Sequence, residues 1–327
     1  MQPQTLIRIL ERTAPLHLAA SWDKSGVQIA SRRAEVRTLC VALDPTEETV
    51  RRAVDAGADF LLCHHPLTLQ PDLPRRVDAY YRVLRLCLSQ DLWLYSAHTS
   101  LDANPHGPVN WLADLLGLVN RQVLAVTHRE TATLLRVYDA LPWMQDKLAE
   151  CVESNQMRSR GETCEMVLWP EELRRVRSLL SDAGAKFPYQ EIALAAPARD
   201  FGFGCIGDLP VALSFNEILT MLQPICSALP RLIGATPSVV RKVGYCPGSG
   251  ADLAARAFAL GADIFLTGDV KFHQAQDMMS SGLTMDVGHF CLEEEMMRVW
   301  STSLTRDLSP DRVQVLFLDG RDPFVRM

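Results

Sequence analysis

The sequence predicts an α/β protein: two related α/β halves around a shared site, interrupted by a small inserted α+β module. Three observations carry this prediction. Apolar runs of strand length alternate with helical periodicity at both ends of the chain. A Gly-Ala-Asp triplet leading into an apolar run occurs twice, as Gly57-Ala58-Asp59-Phe60-Leu61-Leu62 and Gly261-Ala262-Asp263-Ile264-Phe265-Leu266. Each half then continues to a histidine with a carboxylate four residues on, His98 with Asp102 and His289 with Glu293.

Composition narrows the class. A chain of 327 residues suggests about two domains, and 48% hydrophobic with 22% charged residues is ordinary for a globular protein. The formal charge of −6 argues against general binding to nucleic acid or anionic membranes. Nine cysteines are scattered and none forms a Cys-x-x-Cys pair, so neither a disulfide framework nor a zinc ribbon is indicated. The reducing cytosol is their natural environment. Met1-Gln2-Pro3-Gln4 does not open a charged leader, and no apolar stretch approaches about 18 residues. A soluble, cytoplasmic protein is expected.

In chain order, Thr5–Arg12 has the period of a helix and stops before Pro15. Trp22 is expected to be buried, with Asp23 ordering the turn before Gly26 and a short strand. Leu39–Leu43 reads as a strand, Thr46 as the cap of the next helix, Gly57 as its end, and Asp59–Cys63 as a second strand. Together they make a right-handed parallel βαβ unit. A helix over Val77–Ser89, a strand over Leu92–Ser96 and a helix over Val109–Leu116 follow.

The inserted module is placed at residues 127–196, between first-half residues 1–126 and second-half residues 197–327. Strands over Ala132–Tyr138, Cys164–Trp169 and Tyr189–Leu194 alternate with helices over Pro142–Glu153 and Glu171–Ala183, a ferredoxin-like order. Glycines 202, 204 and 207, between Pro197 and Pro210, are read as the irregular return to the main domain. Beyond it come the helix Phe215–Leu222, the strand Val239–Tyr245, a helix from Ala251 to Leu260, and a strand over 264–266. A helix to about Ser280, one from His289 to Ser303, and the last strand Val313–Leu318 complete the chain. Aligning Leu39–Asp59 on Val243–Asp263 without gaps keeps the triplets in register, a weak internal repeat.

Cys63-His64-His65-Pro66 ends the first apolar run. Successive side chains of an extended chain point to opposite sides, so His64 and His65 suit two neighbouring ions better than one. Two-metal hydrolytic sites hold their ions about 3.5–4 Å apart and need carboxylates that bridge, a part open to Asp102 and Glu293. His289 and Glu293 share one face if that segment is helical, whereas His98–Asp102 is not expected to be regular helix. The metal set is therefore His64, His65, Asp102, His289 and Glu293. For His98 a ligand, a partner of a ligand and a substrate contact all stay open, and it is the first candidate for proton transfer. Gly248-Ser249-Gly250 offers backbone N–H groups and Ser249 to an anion, although a plain tight turn accounts for it equally. Lys271 and His273 either face the cleft or start a surface helix, and Lys271 is the candidate for substrate charge. Cys291 reads as a small packed hydrophobe.

His64-His65-Pro66, His98-Thr99-x-x-Asp102, Thr267-Gly268-Asp269-Val270-Lys271 and Gly288-His289-x-x-x-Glu293 resemble the GTP cyclohydrolase 1 type 2-like, or Nif-three-like, family. Trp22-Asp23 with Gly26 is similar to its N-terminal signature, and the likeness covers nearly the whole chain. The resemblance implies two α/β halves around a dinuclear centre, homohexameric rings, and a PII- or CutA-like module in longer members. Phe187-Pro188-Tyr189-Gln190-Glu191 looks like that module's His-Pro-Tyr-Glu-Glu stretch, with Phe for His and Gln for the first Glu; Ser100 stands where Asn is usual. The implied activity is metal-dependent hydrolysis of a nucleotide such as GTP through a metal-bridging water. The alternative is a non-enzymatic metal-binding, metal-delivery or scaffold protein. Two divalent ions per chain are expected, with zinc, iron and manganese all compatible with imidazole and carboxylate ligands.

Overall fold

The computed structural model describes residues 1–152, 156–183, 187–226 and 229–324. These form two compact units, one of residues 1–127 with 202–327 and one of residues 128–201. In chain order the first strands are β1 (Gly26–Ile29), β2 (Thr38–Ala42), β3 (Phe60–Cys63), β4 (Trp93–Ser96), β5 (Val119–Val137) and β6 (Met157–Arg160). The rest are β7 (Thr163–Leu168), β8 (Tyr189–Leu213), β9 (Arg231–Ile233), β10 (Val240–Tyr245), β11 (Ile264–Thr267), β12 (Leu283–Asp286) and β13 (Gln314–Phe317).

The larger unit is a mixed α/β fold with two sheets. The first has the order β1-β4-β3-β2-β13, parallel from β4 to β13, with β1 antiparallel on the edge. The second contains β8-β10-β11-β12-β9, with β10, β11 and β12 parallel. Strands β3, β4, β11 and β12 are buried along their whole length, as expected for a sheet covered on both faces. Leu6 and Leu10 of helix Pro3–Thr13 share one core with Phe60, Leu62, Tyr245, Leu266, Met285 and Trp300. Val50 and Ala53 of helix Glu47–Asp55, with Val83 and Cys87 of helix Ala79–Ser89, cover the other face of the first sheet. Thr46 caps the first of these helices by accepting from Thr49 N–H.

The internal repeat is a structural one. Asp59 accepts from the backbone N–H of Arg37 (2.8 Å) and Thr38 (3.1 Å), and Asp263 accepts from Arg241 (2.7 Å) and Lys242 (2.9 Å). Gly57 and Gly261 both turn with positive φ, 71° and 88°. In each half the triplet thus ties the start of one parallel strand to the start of its neighbour. That fixes strand register, and with it which residues emerge at the strand ends.

Several sequence expectations need correction. Gly202, Gly204 and Gly207 are not an irregular return: they lie inside β8, which runs past Leu194 to Leu213. A Cβ at Gly202 would collide with the Ala125 carbonyl, so glycine permits a close strand approach there instead of breaking the strand. Short strands β6, β9 and β12 went unpredicted, and Met157-Arg158-Ser159-Arg160 lacks the apolar alternation that marks a strand. The second half does not keep its last strand, since β13 pairs with β2 in the first sheet. Helix His289–Leu308 is a turn longer than expected.

The smaller unit has the order strand, helix, two strands, helix, strand. Helices Pro142–Glu150 and Pro170–Asp182 pack on the sheet face carrying Leu135, Val137, Cys164, Met166 and Leu168. Glu153, the expected end of the first helix, lies outside the described residues.

Asp59→Ala leaves two backbone N–H groups without their acceptor. It should cost about 1–3 kcal/mol in denaturant unfolding, and Asp263→Ala less, because the Arg241 N–H it accepts from is exposed to water.

Candidate metal centre

Every residue of the centre follows the carboxyl end of a parallel strand, where α/β sheets place their ligands. Asp44 follows β2, His64 and His65 follow β3, and His98 follows β4. On the other sheet Gly248 follows β10, Asp269 follows β11, and His289 follows β12 and opens the helix His289–Leu308. Glu293 lies one turn into that helix.

The Glu293 carboxylate is buried at the middle and divides two clusters. Its Oε2 lies 2.8 Å from His289 Nε2 and 3.0 Å from His65 Nε2, and these nitrogens are 3.4 Å apart. Its Oε1 lies 3.6 Å from His64 Nε2, which is 3.7 Å from Asp102 Oδ1. Two donors each about 2.1 Å from one ion stand about 3.0–3.4 Å apart, so the first cluster has ligand spacing and the second is slightly wider. His64 and His65 thus serve different clusters, as their alternation predicts.

All four imidazoles are held in the same way. Nδ1 of His64 meets the Ala97 carbonyl (2.8 Å), Nδ1 of His65 meets Asp44 (2.7 Å), Nδ1 of His98 meets Asp23 (2.7 Å) and Nδ1 of His289 meets Asp269 (2.8 Å). Each partner accepts, so each Nδ1 carries a proton and each Nε2 is left as the position open to a cation or to a second proton. This is how metal-ligating histidines are oriented. Conversely, His64 Nε2, Asp102 Oδ1 and Glu293 Oε2 are buried with no hydrogen bond. The short approaches to Oε2 are not aligned as hydrogen bonds. An unmet buried polar atom costs about 1–3 kcal/mol; a cation in each cluster would satisfy these atoms, Glu293 Oε2 in the first and His64 Nε2 with Asp102 Oδ1 in the second. The residues therefore fit a metal pair.

Proton affinities report the same excess of negative charge. Burial lowers His65, but Asp44 and Glu293 overcome it and push the ring up to about 10. His289, also opposed by burial, is pushed up to about 9 by Glu293 and Asp269. Burial raises Glu293, yet His64, His289 and His65 together hold it well below the carboxylate range. Asp102 is raised by burial and by the nearby Glu293 charge, which outweigh the imidazoles. Protons occupy the position that the geometry offers to cations.

Two glycines make room. Gly248, with φ of 64°, lies against the Glu293 carboxylate, and a Cβ there would collide with Oε1. A Cβ at Gly268 would collide with the His289 backbone. Gly248 is thus a seat for a carboxylate, which accounts for the Gly248-Ser249-Gly250 pattern better than an anion cradle does. Ser249 Oγ donates to Asp269 (3.0 Å), behind His289. Lys271 is exposed, and its backbone N–H donates to Gln274 Oε1 (3.0 Å) at the start of the helix Phe272–Met278. His273 is exposed on the helix Phe272–Met278. Cys291 Sγ contacts Cys226 Sγ (2.9 Å) and the Val287 carbonyl.

His98 has its ring centre 5.3 Å from that of His64 and 5.6 Å from that of His65. A ligand atom of each of the three lies within 4.8 Å of the others. Contrary to expectation, Thr99–Asp102 is a helical turn, which carries Asp102 inward from His98. Asp23 does more than order its own turn. Burial raises it, but hydrogen bonds from His98, Thr99 and Ser25 hold it far below the usual carboxylate range. Trp22 is not buried: it is 57% exposed, its edge toward His98 at 5.8 Å. With Asp23 turned inward, its neighbour faces out. Sequence reasoning missed Asp44 and Asp269 as the groups that orient His65 and His289. Their one signal is position, at the carboxyl ends of β2 and β11.

Comparison with known proteins agrees with this architecture. A GTP cyclohydrolase 1 type 2 homolog of Halalkalibacterium halodurans is 29% identical over 332 aligned positions, covering 88% of each chain. A Bacillus cereus protein related to NIF3 superposes with a TM-score of 0.86 at 25% identity, covering 100% of this chain and 99% of the other. Staphylococcus aureus protein SA1388 has the same fold, with a TM-score of 0.77 at 23% identity, covering 100% of this chain and 99% of its own. The Duf34/NIF3 (NGG1p interacting factor 3) profile matches residues 1–323, and the chain belongs to that family.

Proposed function

We propose that the chain is a dinuclear metal-dependent hydrolase acting on a nucleotide such as GTP. The observation that carries this reading is the convergence of three Nδ1-anchored histidines on the two oxygens of one buried glutamate. His64, Asp102 and Glu293 would hold one ion, and His65, His289 and Glu293 the other. Two divalent ions so held would supply Lewis acidity and lower the pKa of bound water toward neutrality.

The chain's own residues do the rest. Asp23 holds His98 at Nδ1 and so directs the basic Nε2 toward the centre, where it takes and returns the proton of the reacting groups. Asp44 and Asp269 fix the rings of His65 and His289 and raise their basicity. The nucleotide comes from the printed name of the Halalkalibacterium halodurans relative together with the motif resemblance. Assembly into a homohexameric ring and a cytoplasmic location belong to the same proposal; among the described residues no helix is long and apolar enough to cross a membrane.

His98→Ala should keep its metal and lose GTP turnover by about 10²–10⁴-fold, measured on wild type and variant loaded with zinc, iron or manganese in turn. Unchanged turnover with metal retained removes His98 from the reaction. Bound metal with no turnover in the wild type favours the metal-delivery alternative. Asp44→Asn, which leaves His65 in place without its carboxylate, should weaken metal binding by about 10–100-fold in a chelator competition.

A further inference from the structure

The smaller unit carries a cluster of charge independent of the metal centre. In the register of β5, β7 and β6, Arg136 lies opposite Glu165 and Glu165 opposite Arg158; Thr163 lies opposite Arg160. Paired residues of antiparallel strands share a face, and so do residues two apart along a strand. Arg136, Glu165, Arg158, Arg160, Thr163 and Tyr138 therefore occupy one face, where they line a pocket of about 330 Å³. The intervening residues Leu135, Val137, Cys164 and Met166 are fully buried on the opposite face, under the two helices.

The charges on this face do not balance. Arg136 spends its guanidinium on Glu165, with Nε and Nη2 at 2.7 and 2.6 Å from Oε1. Arg158 and Arg160 are exposed, and their side chains make no hydrogen bond or ion pair among the described residues. Three guanidinium groups thus face one carboxylate in a unit where Glu and Asp are otherwise well represented. Like charges side by side on a sheet repel, and an anion between them removes that cost. Arg158 and Arg160 point the same way from one strand, about 7 Å apart by strand rise, so both forks can close on one ligand. Guanidinium forks match phosphate oxygens two at a time. The Thr163 hydroxyl adds an uncharged hydrogen-bonding group on the same face, and the Tyr138 hydroxyl, which donates to Gln190 Oε1 (3.3 Å), leaves its oxygen as an acceptor there. The volume lies at the small end of ligand sites, which suits a compact anion rather than a length of peptide.

We propose that the open sheet face of the smaller unit binds a small anion carrying two or more phosphate groups, held by Arg158 and Arg160 with Arg136 behind them. This site does not depend on the metal-centre reading.

The probe is inorganic diphosphate, titrated calorimetrically into the full-length protein at low ionic strength. Wild type is compared with Arg158→Ala/Arg160→Ala, Arg158→Lys/Arg160→Lys and Asp102→Asn. The expected result is saturable binding that weakens with added salt. It should fall at least about tenfold in the alanine pair, fall less in the lysine pair, and stay unchanged in Asp102→Asn. Since Arg158 and Arg160 are exposed and unpaired, melting temperature should not move. No saturable binding in the wild type overturns the proposal. So does equal binding by the alanine pair, or loss confined to Asp102→Asn, which would place the anion at the metal centre.

Discussion

The structure depends on burying one carboxylate. Glu293 sits in the interior with both oxygens surrounded by imidazole, and an isolated carboxylate there would be prohibitively costly. What makes the burial tolerable is positive charge on both sides of it, from protonated rings or from cations. Everything near it serves that arrangement. Gly248 vacates the space a side chain would take, and Gly268 lets the start of the helix come close. Trp111 donates to the Leu292 carbonyl (3.0 Å), anchoring the turn that carries Glu293.

The second constraint is the pairing of two similar half-folds. In each, an Asp ties two strand starts together, so the opposite ends of those strands emerge in a fixed relation. The first half delivers two histidines at the end of β3, and the second delivers Gly268 and Asp269 at the corresponding point of β11. The repeat is therefore one of scaffold and not of ligands. One half supplies most of the imidazole, while the other supplies the carboxylate between the two clusters and its helix. Tyr245 of β10 donates to Val109 O (3.1 Å) and Asn110 Oδ1 (2.7 Å), a buried polar tie between the halves.

Much of this was legible in the sequence, for physical reasons that can be named. The apolar runs before His64 and before Thr267 are strands because nothing but burial on both faces accommodates them. The i, i+4 spacing of His289 and Glu293 brings their side chains onto one helix face, where they meet at 2.8 Å. What stayed hidden depends on partners remote in sequence. Asp44 and Asp269 look like turn residues until their strands are set beside the histidines. Trp22 carries the usual signal of a core residue and is exposed because its neighbour Asp23 takes the inward position. Prolines and glycines concealed β8, since glycine, which so often ends a strand, also permits two strands to approach closely, as at Gly202. The charged face of the smaller unit was invisible for a related reason: Arg158-Ser159-Arg160 reads as polar loop, and only its pairing with β7 aligns the guanidinium groups.

The central claim is that Glu293 joins two metal positions. Its most direct test is the metal content per chain of protein purified without chelators, wild type beside Glu293→Ala. The account predicts about two ions per wild-type chain, with a sharp fall in the variant because both positions lose a ligand. No stoichiometric metal in the wild type, even after reconstitution with zinc, iron and manganese, would contradict it.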